Sequence, residues 1–311
     1  MDDEETIGIS IEEMGDDFTS VGCTNVGNTC VGCSSVGNTC VGCTNVEHIR
    51  VPKFVFIIPY RDRKEHLEQF RLHMNMILED VNPHDYRFLV VHQCDTKTFN
   101  RGAMKNIGFI YASRLWPNDY RKMTFVFNDV DSMPMRKNMW DYNTRPGVVK
   151  HFFGFTYTLG GIVSINGGDY ERIGGFPNYW GWGYEDNELQ KRVEKAKFVI
   201  DRTVFFPIDD TTNIIQLNHG TLRIMNKDDF EKFSTNTVEN LYTIKELKYD
   251  MEENRGIKNS VDVDFVNVSL FRTGYDESKK EQFVYNLKNG NRPIVSFKRK
   301  GGNPRMLMKF I

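Results

Sequence analysis

The run Phe125-Val126-Phe127-Asn128-Asp129-Val130-Asp131 ends an apolar stretch on two carboxylates one residue apart. In a strand alternate side chains share a face, so Asp129 and Asp131 are expected to point the same way, with Val130 turned back into the core. Two hard oxygen donors on one edge suit Mg²⁺ or Mn²⁺, and a metal-bound diphosphate could be held there. In an open α/β sheet such ligands gather beyond the carboxyl ends of the strands. Aspartates also end strands simply as turn formers.

Three further groups of residues carry chemistry. Tyr60, Arg61 and Arg63 follow Pro59 at the end of another apolar run, where an aromatic ring and guanidinium forks can meet a base and a diphosphate. The same arginines could instead pair with Asp62 at the surface. The segment Trp180-Gly181-Trp182-Gly183-Tyr184-Glu185-Asp186-Asn187-Glu188 sets carboxylates beside two indoles flanked by hinge-capable glycines. It reads as a flexible Gly/Trp lid whose aromatic faces pack on a pyranose and whose closure excludes water. Its acidic residues would also suit a helix start through the dipole alone. His219, in Leu217-Asn218-His219-Gly220, is a natural metal partner for the carboxylates or a structural histidine.

These residues need a scaffold, and the pattern supplies one. Phe54 to Ile58 predicts a strand; Lys64 to Leu78 places Leu67, Phe70, Met74, Ile77 and Leu78 at helical spacing. A strand over Tyr86 to His92, a helix over Gly102 to Leu115 and the strand carrying the aspartates follow. This alternation is that of a parallel, doubly wound α/β sheet. A helix over Asn187 to Lys195 and strands near Phe198 to Ile200 and Val204 to Pro207 come later, after a glycine-dense stretch. The expected organisation is residues 1–50 as a disordered acidic and cysteine-containing segment, 51–248 as the folded domain, and 249–311 as an extension packing on or beside it.

Composition narrows the function classes. The 311 residues carry 40 basic and 42 acidic side chains, a formal charge of -2, so no global field recruits nucleic acid. No stretch reaches the roughly 18 uninterrupted apolar residues of a membrane span, and the acidic first twenty residues show no signal peptide. The expectation is a soluble intracellular or cytoplasmic protein. Five of six cysteines fall in the repeat VGCTN-VGNTC-VGCSS-VGNTC-VGCTN over residues 21–45. Its two Cys-x-x-Cys pairs have zinc spacing, but repeat duplication generates them automatically and a low-complexity linker is the simpler reading. The basic residues between Lys298 and Lys309 read as a solvated tail.

The landmarks PYRDR, FNRGAMKNIGF, FNDVDSMP, NYWGWGYEDNE and LNHG, in that order, resemble the β-1,4-galactosyltransferase family, whose motifs read PFRNR, FNRAKLLNVGF, DVDLIP and GWGGEDDD. The similarity covers about Phe54 to Met225. It implies a GT-A fold, a mixed doubly wound sheet with helices on both faces, and an inverting, metal-dependent transfer of galactose from a UDP-sugar to a hydroxyl of a glycan or glycoconjugate.

By that resemblance Asp186 is the catalytic base. Pro59, Tyr60, Arg61, Arg63, Phe99, Arg101, Asp129, Val130, Thr158, Gly161 and Trp182 bind the donor, and Trp182, Gly183, Glu185, Asp186 and Asn187 the acceptor. Asp131, His219 and Gln216 hold Mn²⁺, with Mg²⁺ acceptable because Gln216 stands where a family Met is common. Tyr184 and Asn187 replace a Gly and an Asp of the family motif. Thr158, two residues before Gly160-Gly161, stands where an aromatic limits the sugar's C2 substituent, so UDP-GalNAc joins UDP-galactose as a donor. If the shorter loop shifts the alignment, Tyr157 takes that place. A non-catalytic sugar-binding module and a metal-dependent nucleotidyltransferase are the competing classes.

Overall fold

A computed structural model of the chain describes residues 50–217, 220, 222–226, 238–274 and 282–286. The repeat, His219 and the basic tail lie outside the described residues.

Seven consecutive buried residues form β1 (Phe54–Tyr60), the central strand of the parallel part. It pairs in parallel with β2 (Tyr86–Gln93) on one side and β3 (Thr124–Asn128) on the other. Helix α1 (Lys64–Ile77) connects β1 to β2 and buries Leu67, Phe70, Met74 and Ile77. Helix α2 (Arg101–Leu115) connects β2 to β3 and buries eleven residues, the polar Lys105, Asn106 and Ser113 among them, so most of its surface is covered. The two helices contribute to separate apolar clusters, one around Phe56, Phe70 and Phe88 and one around Ile57, Ile107 and Phe109. Helices therefore cover both faces of the sheet.

Beyond β3 the sheet turns antiparallel through β6 (Ile162–Asn166) and β5 (Val148–Gly154), and β5 then takes β7 (Val199–Asp201) and the short β8 (Phe206–Pro207) in parallel. The short β4 (Ser132–Pro134) and β9 (Ile214–Gln216) pair with each other, and β10 (Leu222–Asn226) pairs with β13 (Gln282–Asn286).

The boundary expected at residue 248 falls inside β11 (Lys245–Asn254). With β12 (Val263–Arg272) this strand completes the other edge of the main sheet: β12 pairs in parallel with β2, and β11 antiparallel with β12. Residues 263–272 are thus part of the core, where Val266, Val268 and Phe271 are fully buried. The sequence shows only their alternation and not which strand they join. No helix among the described residues is long and apolar enough to cross a membrane.

Candidate active site

At the carboxyl ends of β1 and β3 lies a hollow of about 760 Å³. Pro59, Arg61, Arg63, Phe99, Arg101, Asp129, Val130, Asp131, Thr158, Gly161, Trp182, Glu185, Asp186 and Gln216 all line it. Three expected members do not. Tyr60 is buried in the core, edge-on to His92 and Phe265, because its position in β1 turns it away from the strand end. Gly183 is not among the lining residues, and Asn187 points its amide to the Tyr157 carbonyl at 3.3 Å.

Strand β3 closes at Asn128, one residue before the first aspartate, so the strand alternation that would aim Asp129 and Asp131 together does not apply. The buried Asn128 amide donates to the carbonyls of Asp129 and Ser132, both at 2.8 Å, and folds residues 129–131 into a turn. Val130 is buried as expected. The two carboxylates part company: Asp129 accepts from Arg101, while Asp131 Oδ1 accepts from Ser132 Oγ at 3.1 Å. Pairing of β4 with β9 places Ser132 opposite Gln216, and the Leu217 amide donates to the Asp131 carbonyl at 2.8 Å. Asp131 and Gln216 are therefore neighbours through the backbone. Gln216 Nε2 donates to Asp210 O at 3.3 Å, which leaves the amide oxygen as the donor of interest. This oxygen-rich pair fits a hard divalent cation. Among the described residues no three His, Cys, Asp or Glu side chains form a metal cluster, and the expected third ligand, His219, lies outside them.

Arg101 is the hub of the site. Asn100 caps α2 by accepting from Ala103 N, which sets Arg101 in the first turn facing the hollow. Its guanidinium donates to Asp129 through Nε at 3.0 Å and Nη2 at 2.5 Å, and through Nη1 to Glu185 Oε1 at 2.5 Å and Asp186 Oδ2 at 2.8 Å. One turn later Lys105 brings its ammonium to 3.4 Å from Asp186 Oδ1 and 3.8 Å from Asp129 Oδ1. Two cations thus face three carboxylates. Burial disfavours the charge on Arg101, but Asp129, Asp186 and Glu185 outweigh it and hold the guanidinium above its usual range. Burial and the Asp186 charge push the Glu185 carboxyl up. For Asp186 burial is outweighed by Arg101 and Lys105, which pull it below the usual carboxylate range. The adjacent acids are driven apart, leaving Asp186 the better-ionised of the two.

The backbone allows this packing. A Cβ on Gly160 would sit 2.2 Å from Asp186 Oδ2, and one on Gly161, at φ 74°, would sit 2.4 Å from the Phe153 carbonyl. Behind them His151, fully buried, has Nε2 at 2.9 and 3.0 Å from the carbonyls of Phe153 and Gly160, and accepts at Nδ1 from Arg202. Burial and the Arg202 charge lower its pKa to about 4.

The segment 180–184 departs from a pair of lid indoles. Trp180 is core, stacked on Phe271 at 5.0 Å with Nε1 donating to Thr273; only Trp182 lines the hollow. The Trp182 amide donates to Ile224 O at 2.7 Å, which joins the segment to β10. Two lining or supporting cations were not singled out by motif. Arg223 of β10 lies 5.9 Å from the Trp182 ring and feels the charges of Arg63 and Asp131. Lys105 follows Arg101 by four residues, the helical spacing that puts both on one face. That spacing was available in the sequence; nothing comparable marks Arg223. Thr158 is buried at the hollow, whereas Tyr157 is outward and stacked on Phe155 at 5.3 Å.

Two family models match the chain: the N-terminal region of glycosyl transferase group 7 over residues 41–143, and the N-terminal domain of galactosyltransferase over residues 150–220. A xylosylprotein 4-beta-galactosyltransferase of Caenorhabditis elegans is 33% identical over 181 residues, covering 55% of this chain and 60% of that protein. Beta-1,4-galactosyltransferase 1 of Mus musculus is 35% identical over 159 residues, 48% of this chain and 39% of that one. The chain therefore spans less than two thirds of these relatives. Among solved structures, the catalytic domain of Drosophila beta1,4galactosyltransferase 7 with xylobiose superposes with a TM-score of 0.55 at 23% identity, covering 74% of this chain and 97% of that one. A mutant of that enzyme with manganese, UDP-Gal and xylobiose gives 0.54 at 21% identity. These structures share the fold.

Proposed function

The chain belongs to the glycosyl transferase group 7 family, and from that premise we propose that it transfers galactose from UDP-galactose to a hydroxyl of a sugar acceptor with inversion at the anomeric carbon. The observation that carries the reading is the gathering of Arg61, Arg63, Asp129, Asp131, Trp182 and Asp186 around one hollow. Relatives named as galactosyltransferases, and a fold neighbour bound to manganese and UDP-Gal, support the donor.

In this reading the guanidinium groups of Arg61, Arg63 and Arg223 take the diphosphate, where planar donors match its oxygens. Phe99 offers its ring to the uracil. Asp131 and Gln216, with His219 from outside the described residues, hold Mn²⁺ or Mg²⁺, which supplies positive charge against the negative charge that develops on the departing diphosphate. Asp186, held ionised, takes the proton of the acceptor hydroxyl as that oxygen attacks from the face opposite the leaving group. Trp182 packs on a sugar face and keeps water from the donor.

The low carboxyl pKa of Asp186 has a consequence. It secures the ionised form but weakens the base, so rate rests mainly on orientation and leaving-group stabilisation. Thr158 at the hollow leaves more room at the sugar's C2 than an aromatic would, which favours acceptance of UDP-GalNAc as a second donor.

UDP release is measured with UDP-galactose, Mn²⁺ and a panel of sugar acceptors, and the anomeric configuration of the product by NMR. Transfer giving a β-linkage, lost with chelator and with Asp186→Asn, is expected. Binding of the sugars without turnover would instead support a recognition module, and pyrophosphate release a nucleotidyltransferase. Thr158→Tyr is expected to suppress any UDP-GalNAc turnover while sparing UDP-galactose.

A further inference from the structure

Lys105 is 1% exposed, inside a helix where the neighbouring Met104, Asn106, Ile107 and Gly108 are also buried. Burying an ammonium costs several kcal/mol unless partners compensate. Its partners here are Asp186 Oδ1 at 3.4 Å, Asp129 Oδ1 at 3.8 Å and the face of Phe176 at 4.4 Å. Packing alone would be met by an apolar residue of similar length.

We infer that Lys105 is a positioning residue for Asp186, gripping the carboxylate oxygen that Arg101 does not hold and offsetting the negative charge packed beside it. The inference rests on the reading of Asp186 as the base.

The geometry leaves room for a second grip. Arg101 Nη1 is shared between Glu185 Oε1 and Asp186 Oδ2, so one nitrogen serves two acids and contacts only one oxygen of the Asp186 carboxylate, the one packed against Gly160. Lys105 contacts the other oxygen, Oδ1, at 3.4 Å. Electrostatics points the same way. Without Lys105, Arg101 would face Asp129, Glu185 and Asp186 alone, two net negative charges in a partly buried site; with it, one remains. The groups facing Asp186 are Arg101 and Lys105 from α2, Glu185 on its own helix, and His151 from β5 behind Gly160, with Asp129 across the guanidinium. His151 is neutral at neutral pH, so the balance lies between the two cations and the acids.

The Asp186 side chain is followed by ¹³C NMR of aspartate-labelled protein, its resonance assigned with Asp186→Asn, in the wild type, Lys105→Met, Lys105→Gln and Lys105→Arg. Loss of an opposite charge at this range is expected to raise the titration midpoint of Asp186 by about one pH unit in the Met and Gln variants. The Arg variant should stay near the wild type. The Gln variant serves if the Met variant does not fold. A midpoint unchanged in the uncharged variants, even with activity or stability reduced, would overturn the inference and leave Lys105 as packing. The acid limb of the pH dependence of kcat/KM should move with the resonance. If the resonance moves and the limb does not, Lys105 still positions Asp186, and the assignment of Asp186 as base fails instead.

Discussion

Arg101→Met tests whether one guanidinium holds the site together. The substitution keeps the aliphatic stem and removes contacts to Asp129, Glu185 and Asp186 at once. Removing one partner of a buried ion pair costs about 3–5 kcal/mol, because the remaining charge stays unpaired. Two features pull the value toward the lower end. The Asp129 side chain is 22% and Asp186 19% exposed, so water screens part of the loss, and Lys105 still reaches both. About 3 kcal/mol is expected at pH 8, a change of roughly 150-fold in the folding equilibrium.

The pH dependence has a definite sign. In the wild type the lowered pKa of Asp186 contributes stability that is present above the unfolded carboxylate range and lost as pH falls through its folded value. In the variant the carboxylates lose that support, and protonation relieves their repulsion. The gap between variant and wild type should therefore narrow as pH falls from 8 to 5. Urea unfolding followed by tryptophan fluorescence at both pH values measures it. A deficit under about 1 kcal/mol at pH 8, or one that does not change with pH, would refute the hub.

Three other substitutions probe parts of the same scaffold. Gly160→Ala sets a Cβ 2.2 Å from Asp186 Oδ2; with the carboxylate displaced, transfer should fall by about 10²-fold with the circular dichroism spectrum retained. Arg223→Ala should raise KM for the UDP-sugar by about tenfold or more, the worth of one charge-assisted contact, as read from initial rates at fixed acceptor. His151, lowered from 6.5 to about 4, favours the fold only while neutral, so its contribution is present above pH 6.5 and lost as pH falls toward 4. That amounts to about 3 kcal/mol, and thermal melts across this window should lose that slope in His151→Gln.

The parallel core was legible because β1, β2 and β3 are continuous apolar runs separated by helices with clear periodicity. The aspartates at the end of β3 were legible as a pair but not as a turn: Asn128 ends the strand through side-chain bonds that no periodicity reports. Trp180 and Trp182 look equivalent in sequence, yet one stacks on Phe271, a partner 91 positions away, and only the fold shows it. Arg101 was read as a donor ligand from its motif; its grip on three acids from two other elements is a product of tertiary packing. Tyr60 was drawn to the site by its neighbours Arg61 and Arg63, while the strand register turns it inward.

The parallel pairing of β12 with β2 joins distant parts of the chain: His92 and Asn267, 175 positions apart, meet through their side chains. During synthesis the outer rim of β2 waits, with its hydrogen-bonding groups uncapped, until residue 268 has left the ribosome. Such a late closure is slow and favours association between nascent chains in the interval. Released chains that end just before Val263 should therefore capture one another, and released chains that end after Arg272 should not.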